Sequence, residues 1–207
     1  ASFREIAAEL TDEASAAFHE KWVVGYGHAS VAEHAVLHIA IENVSRLAIE
    51  AIESNRLASY TEKSTRYQKW SRDSFYTPPE IAASPLAEAY RTINQGFWVF
   101  YTPPLRRAGA GVGGGSPRQA DESTSRYDGR IRSKYVDACR FALPASAVAN
   151  LGMTANARVF ENALRKWLSH PLSEVREIAE WVKKEAIGEV PTLVKYADAQ
   201  PYLQETQ

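Results

Sequence analysis

Between residues 36 and 54 the apolar pattern changes period once: Leu37, Ile39 and Ile41 alternate with Val36, His38, Ala40 and Glu42, then Leu47, Ala48, Ala51 and Ile52 recur at helical spacing. Alternation places side chains on opposite faces of a strand, whereas a 3.6-residue repeat stripes one side of a helix. The chain therefore holds a strand over 36–42 and a short helix over 45–54, with Asn43 near the change. Helical spacing also marks 4–24, where Ile6, Leu10, Phe18 and Trp22 are available to a buried stripe and Thr11-Asp12 offers a cap or an interruption. The aromatic-rich stretch 86–102 reads as a helix stopped by Pro103-Pro104. Three more helices are predicted over 128–142, 155–169 and 172–187. Helix outweighs strand, and no internal repeat is visible.

At 207 residues and 45% apolar, the chain suits a single domain over 1–207. Gly109 to Ser116 (GAGVGGGS) reads as a flexible connector within about 107–120, since it lacks the Lys-Ser/Thr ending of a phosphate-binding loop. His38, Glu42, Glu50 and Glu53 interrupt the longest apolar stretches, so no run approaches the roughly 20 residues of a membrane span. The lone Cys139 allows no internal disulfide and, beside Arg140 only, reads as a packing residue; a reducing cytoplasm is expected. His28 and His34 bracket Glu33 in a metal-like cluster with no further ligand evident, a pattern that equally suits a hydrogen-bonded core or cap role, and no metal is expected. The chain begins at Ala1 without Met, so residues upstream of it are expected.

A net charge of −1 argues against wholesale nucleic-acid binding, but the charge is unevenly placed. Residues 54–72 carry Arg56, Lys63, Arg66, Lys69 and Arg72 against Glu62 alone, a local excess of +4. The Ser, Thr and Tyr content of 56–68 predicts an extended segment ended by Pro78-Pro79. On that reading Arg56, Glu62, Ser64 and Arg66 share a face suited to a phosphorylated nucleotide: guanidinium forks grip phosphate, while a carboxylate and a hydroxyl address hydroxyl groups or ring edges. The alternative is a solvated, charged edge strand. Similarly, Arg158, Asn162 and Arg165 fall at i, i+4 and i+7 of a predicted helix, with Val159, Ala163 and Trp167 on another face.

Arg56, seven residues, Ser64 and then Thr65-Arg66-Tyr67 resemble the signature of the flavin-dependent thymidylate synthases (ThyX), an Arg-His-Arg, seven residues and a Ser-x-Arg-Tyr ending. Gly27-His28-Ala29-Ser30-Val31-Ala32-Glu33-His34 is similar to the family's Gly-His-x-[Ser/Thr]-x-x-Glu-His segment. Arg140-Phe141-Ala142-Leu143-Pro144 resembles its Arg-x-x-Leu-Pro element, and Asn156-Ala157-Arg158 with Asn162 its Asn-Ala-Arg-x-x-x-Asn stretch. The four segments stand in family order.

The resemblance implies an α+β fold with helices around a modest, mostly antiparallel sheet. It implies methylene transfer from methylenetetrahydrofolate to C5 of dUMP, with reduction by hydride from FAD, recharged by NADPH, in a cytoplasmic homotetramer whose sites form between subunits. By position Glu62, Ser64, Thr65 and Arg66 would hold dUMP with help from Arg140, and Arg66 and Arg140 would be the catalytic cations. His28, Ser30, Glu33, Arg56, Glu62, Asn156, Arg158 and Asn162 would face FAD. Ser54 and Asn55 stand where the family has Arg and His, Thr61 where it has Asn, and Lys166-Trp167 near where it has a second substrate Arg. Three functions fit this sequence: the synthase, a flavin- or nucleotide-binding relative without synthase chemistry, and a helical interaction subunit using the basic stretch. Partners are therefore small molecules and further copies of the chain, with neither nucleic acid nor membrane expected.

Overall fold

The computed structural model describes residues 11–25, 29–65, 70–109 and 117–206. Strand β1 (Val36–Ser45) runs directly into helix α2 (Arg46–Glu53), which matches the change of period read from the sequence. The helix start is satisfied without a separate loop. Ser45 Oγ accepts from the Ala48 N–H at 3.0 Å, and the N–H groups of Arg46 and Leu47 donate to the carbonyls of Ala147 and Ala145 at 3.0 and 3.1 Å. Asn43 lies in the left-handed region with φ 59°, which Asn tolerates better than most residues, and its N–H donates to Asn150 Oδ1 at 2.9 Å.

Strands β1, β2 (Ser59–Glu62) and β3 (Val148–Asn156) form an antiparallel sheet in the order β1-β3-β2. The central strand β3 was not anticipated. Its burial alternates strictly, with Ala149, Leu151, Met153 and Ala155 inside. Small residues, Asn and Gly between them blur the apolar alternation that would otherwise mark a strand. The predicted extended segment 56–68 shrinks to β2, because Tyr60 Oη donates to the carbonyls of Ile52 and Asn55, both at 3.0 Å, and curls residues 54–58 back onto the end of α2.

The chain divides into two compact units, one built from 1–41, 50–61 and 152–207, the other from 42–49 and 62–151. In the first, α6 (Ala157–Leu168) buries Ala157, Phe160, Ala163, Leu164 and Trp167. It packs on α7 (Ser173–Glu189), on the short α8 (Pro191–Val194) and on the 3-10 turn Ala29–His34. Ala32, Ala157 and Leu193 form one buried cluster, to which Val23, Ala35 and Val190 are added. Helix α1 (Asp12–His19), the first among the described residues, is capped by Thr11, whose Oγ1 accepts from the Ala14 N–H at 3.2 Å, and continues as a π-helical turn, Glu20–Gly25. Phe18 and Trp22, expected on a buried stripe, are 49% and 36% exposed. Glu20 instead ties this segment down by accepting from Lys195 Nζ at 2.9 Å and Tyr196 Oη at 2.8 Å. The final helix, α9 (Pro201–Thr206), has no buried residue.

In the second unit, the short α3 (Pro79–Ala82) precedes α4 (Ala87–Gly109), which packs on α5 (Thr124–Cys139). Helix α4 continues through Pro103-Pro104, where the sequence predicted a stop. Proline's fixed φ is itself helical, so each ring removes one donor and crowds one carbonyl, a local cost that need not end the helix. The expected connector therefore begins within α4, and residues 110–116 lie outside the described residues. The segment before α5 is fastened by Glu122, whose side chain is 4% exposed and accepts from Arg130 Nε and Nη2 at 2.8 Å each. Those two charge-assisted bonds hold the Glu122 carboxyl down to about 2. Among the described residues no helix is long and apolar enough to cross a membrane.

Candidate functional site

The C-terminal end of α2 is where the site begins. Asn55 is 5% exposed, and its Nδ2 donates to the Ile52 carbonyl at 2.9 Å where the chain turns out of the helix, while its Oδ1 is buried without a hydrogen-bond partner among the described residues. This turn presents Ser54, Arg56 and Leu57 to a cleft of about 1160 Å³ in the first unit. The opposite wall is the outer face of α6. Asn156 is its N-cap and accepts from the Val159 N–H at 2.9 Å, which leaves Arg158, Asn162, Arg165 and Lys166 facing the cleft. The same helix turns Phe160, Ala163, Leu164 and Trp167 inward, so the polar stripe is aimed by burial of the apolar one. Val159, expected with Ala163 and Trp167, also lines the cleft.

Four cations border this space, Arg56, Arg158, Arg165 and Lys166, against two carboxylates, Glu33 and Glu161. Both carboxylates are engaged: Arg158 Nη1 donates to Glu33 Oε1, and Arg165 Nη2 donates to Glu161 Oε1 at 2.7 Å. Arg56 and Lys166 make no ion pair among the described residues. An excess of two positive charges in a concave space, with guanidinium forks and the amide of Asn162, suits a ligand carrying phosphate and hydroxyl groups.

The residues expected to face FAD are therefore partly brought together. Glu33, Arg56, Asn156, Arg158 and Asn162 line one cleft. Ser30 is exposed on the same 3-10 turn as Glu33 but does not line it. Glu62 belongs to the second unit, where it accepts from Arg46 Nη1, and its pair is half-buried. Arg56, expected on one face with Glu62, Ser64 and Arg66, sits in a turn before β2 begins, so strand alternation does not extend to it. His28 and Arg66 lie outside the described residues.

Of the residues expected at dUMP, Thr65 and Arg140 meet in the second unit. Arg140 Nη1 donates to Thr65 Oγ1 at 3.4 Å, while its Nε lies 3.7 Å from Asp137 Oδ1. Arg140 also caps α5, the favourable place for a cation at a helix C-terminus. Ser64 is exposed nearby in sequence. Cys139 is partly buried, and burial pushes its thiol up, as befits a packing residue. The sequence analysis named neither of two ion pairs: Arg46–Glu62 joins residues sixteen apart and has no local signature, whereas Glu161–Arg165 carries the i, i+4 spacing that could have revealed it.

The profile of the family described as thymidylate synthase complementing protein (Thy1) matches residues 1–192. A UPF0159 protein of Chlamydia muridarum is 30% identical over 92% of this chain and 37% of its own length, and one of Thermoplasma acidophilum is 28% identical over 88% and 42%. The chain thus spans about two fifths of those relatives. A flavin-dependent thymidylate synthase of Clostridium tetani is 26% identical over 93% of this chain and 74% of that protein. Among solved structures, ThyX of Helicobacter pylori complexed with FAD and dUMP superimposes with a TM-score of 0.61 at 19% identity, over 92% of this chain and 87% of that one. The UMP/dUMP methylase PolB of Streptomyces cacaoi gives 0.64 at 17% identity, over 94% and 84%. The expected α+β arrangement is the fold observed, and the chain belongs to the thymidylate synthase complementing protein family.

Proposed function

We propose that the first-unit cleft holds the phosphates of FAD and that the chain acts as a flavin-dependent thymidylate synthase on dUMP, with methylenetetrahydrofolate and NADPH as co-substrates. The observation that carries this reading is the convergence of Glu33, Arg56, Asn156, Arg158 and Asn162, five of the residues expected at FAD, on one cleft. The donor set fits the group: Arg56 and Lys166 are available to phosphate oxygens, and Asn162 adds an amide. When bound, FAD supplies the hydride that reduces the transferred methylene group. The chain's residues fix the ligand's position and charge. Arg140, held by Asp137 and Thr65, is a cation available to negative charge on a pyrimidine, and Ser64, Glu62 and Arg66 are proposed beside it. Ser30, His28 and Glu62 complete the proposed FAD set. A cytoplasmic homotetramer, in which different copies complete each site, belongs to the same proposal, as does a single domain over 1–207.

A second reading, binding without synthase chemistry, is favoured by one observation. Ser54 and Asn55 line the cleft where the family carries Arg and His, and Asn55 Nδ2 donates to the Ile52 carbonyl. Losing a charge-assisted contact costs roughly 1.5 to 3 kcal/mol. Incubating the purified protein with FAD and reading flavin absorbance after desalting tests flavin binding, and a colourless protein refutes the synthase and leaves at most a nucleotide-binding relative. Tritium release from labelled dUMP then separates them: release supports the synthase, and its absence in a flavin-loaded protein supports binding alone.

A further inference from the structure

Two of the four cations in the cleft are already neutralised, and the two pairs differ in kind. Glu161 and Arg165 lie one turn apart on α6. Glu33 comes from a different element, the 3-10 turn Ala29–His34, and reaches Arg158 across the cleft wall. Its side chain is about half exposed, as is that of Arg158. The turn itself does not depend on the pair. Ala32 is buried against Ala157 and Leu193, and the Ala157 N–H donates to the Ala35 carbonyl at 2.8 Å. Glu33 can therefore release Arg158 by side-chain rotation, without moving the turn or α6.

We propose, resting on the reading of this cleft as a phosphate site, that Glu33 is a built-in counterion displaced by the ligand, and that it determines which anions bind. With Glu33 in place, Arg158 is occupied and the open charge is that of Arg56 and Lys166. An anion with one phosphoryl group is satisfied by Arg56 and Lys166 and gains little by displacing the Glu33 carboxylate as well. A diphosphate engages Arg56 and Lys166 with one phosphoryl group and exchanges its other for Glu33 on Arg158. Glu33 thus acts through Arg158 as a specificity-determining residue rather than by touching the ligand. The exchange is inexpensive because solvent-exposed ion pairs are weak.

The test is calorimetric titration of inorganic pyrophosphate and of orthophosphate into wild type, Glu33→Gln, Arg158→Ala, the double variant of those two and Arg56→Ala at low ionic strength. The expected result is a gain of about twofold to fivefold in pyrophosphate affinity for Glu33→Gln, the size of an exposed ion pair, and a proportionally larger gain for orthophosphate. The gain should vanish when the same change is made in Arg158→Ala, because the cycle isolates the coupling between the two residues. Weaker or unchanged binding by Glu33→Gln, or an equal gain with Arg158 absent, overturns the proposal. Unchanged pyrophosphate binding in both Arg158→Ala and Arg56→Ala would instead remove the reading of the cleft on which it rests. Circular dichroism of each variant verifies that the fold is retained.

Discussion

Asn156 is where stability and ligand binding can be separated with one residue. Its side chain accepts from the Val159 N–H at 2.9 Å at the start of α6, and it also lines the cleft. In Asn156→Ala the N-terminal N–H loses its partner, which costs about 1 kcal/mol and lowers Tm by roughly 2 to 4 °C for a chain of this size. In Asn156→Asp the cap bond survives and the carboxylate favours the positive end of the helix, so stability is equal to or above wild type. The new charge nevertheless faces the cleft. A unit charge about 6 Å from a bound phosphate costs between about 0.7 kcal/mol in bulk water and about 3 kcal/mol at an effective dielectric of 20. FAD or pyrophosphate affinity should therefore fall by roughly threefold to a hundredfold. Thermal melting followed by circular dichroism reads the first effect, and calorimetric titration the second. A stable Asn156→Ala variant would refute the cap. Wild-type affinity in Asn156→Asp would refute the placement of anions in this cleft.

Two further outcomes test the framework that aims the site. Phe160 is fully buried on the inner face of α6, so Phe160→Ala should cost about 3 to 5 kcal/mol in urea denaturation, and a loss below 1 kcal/mol would show that the inner face is not packed as described. Glu122 titrates near 2 in the folded chain, below the ordinary carboxylate value of about 4.3. Its contribution is complete above about pH 4.3 and is lost as pH falls through about 2, so the stability gap between wild type and Glu122→Gln should narrow over that interval. A gap independent of pH from 5 to 2 would contradict the Arg130 pairing.

Local periodicity made much of the fold legible. The passage from β1 to α2 and the stretches around α5, α6 and α7 all follow from apolar spacing. What escaped was set by distant partners. β3 is central, yet Asn150, Gly152 and Thr154 alternate with modest apolar residues, and its identity as a strand depends on β1 and β2 lying beside it. The stop expected at Pro103 ignored that proline's φ is helical. In the cleft, the stripe of Arg158, Asn162 and Arg165 was readable from i, i+4, i+7 spacing. Its meeting with Arg56 was not, since the turn that carries Arg56 is shaped by Tyr60 and Asn55 reaching back to α2. Strand alternation does not extend to that turn, which precedes β2, and Glu62 at the end of β2 accepts from Arg46.

The central claim, that a flavin's phosphates occupy the first-unit cleft, is tested most directly by titrating FAD fluorescence with wild type and with Arg56→Ala. Arg56 is a cleft cation with no ion pair among the described residues, so its loss removes a charge-assisted contact without freeing a carboxylate. The account predicts saturable quenching by wild type, weakened about tenfold or more in the variant. Absence of saturable quenching by wild type, or equal affinity in Arg56→Ala, would contradict it.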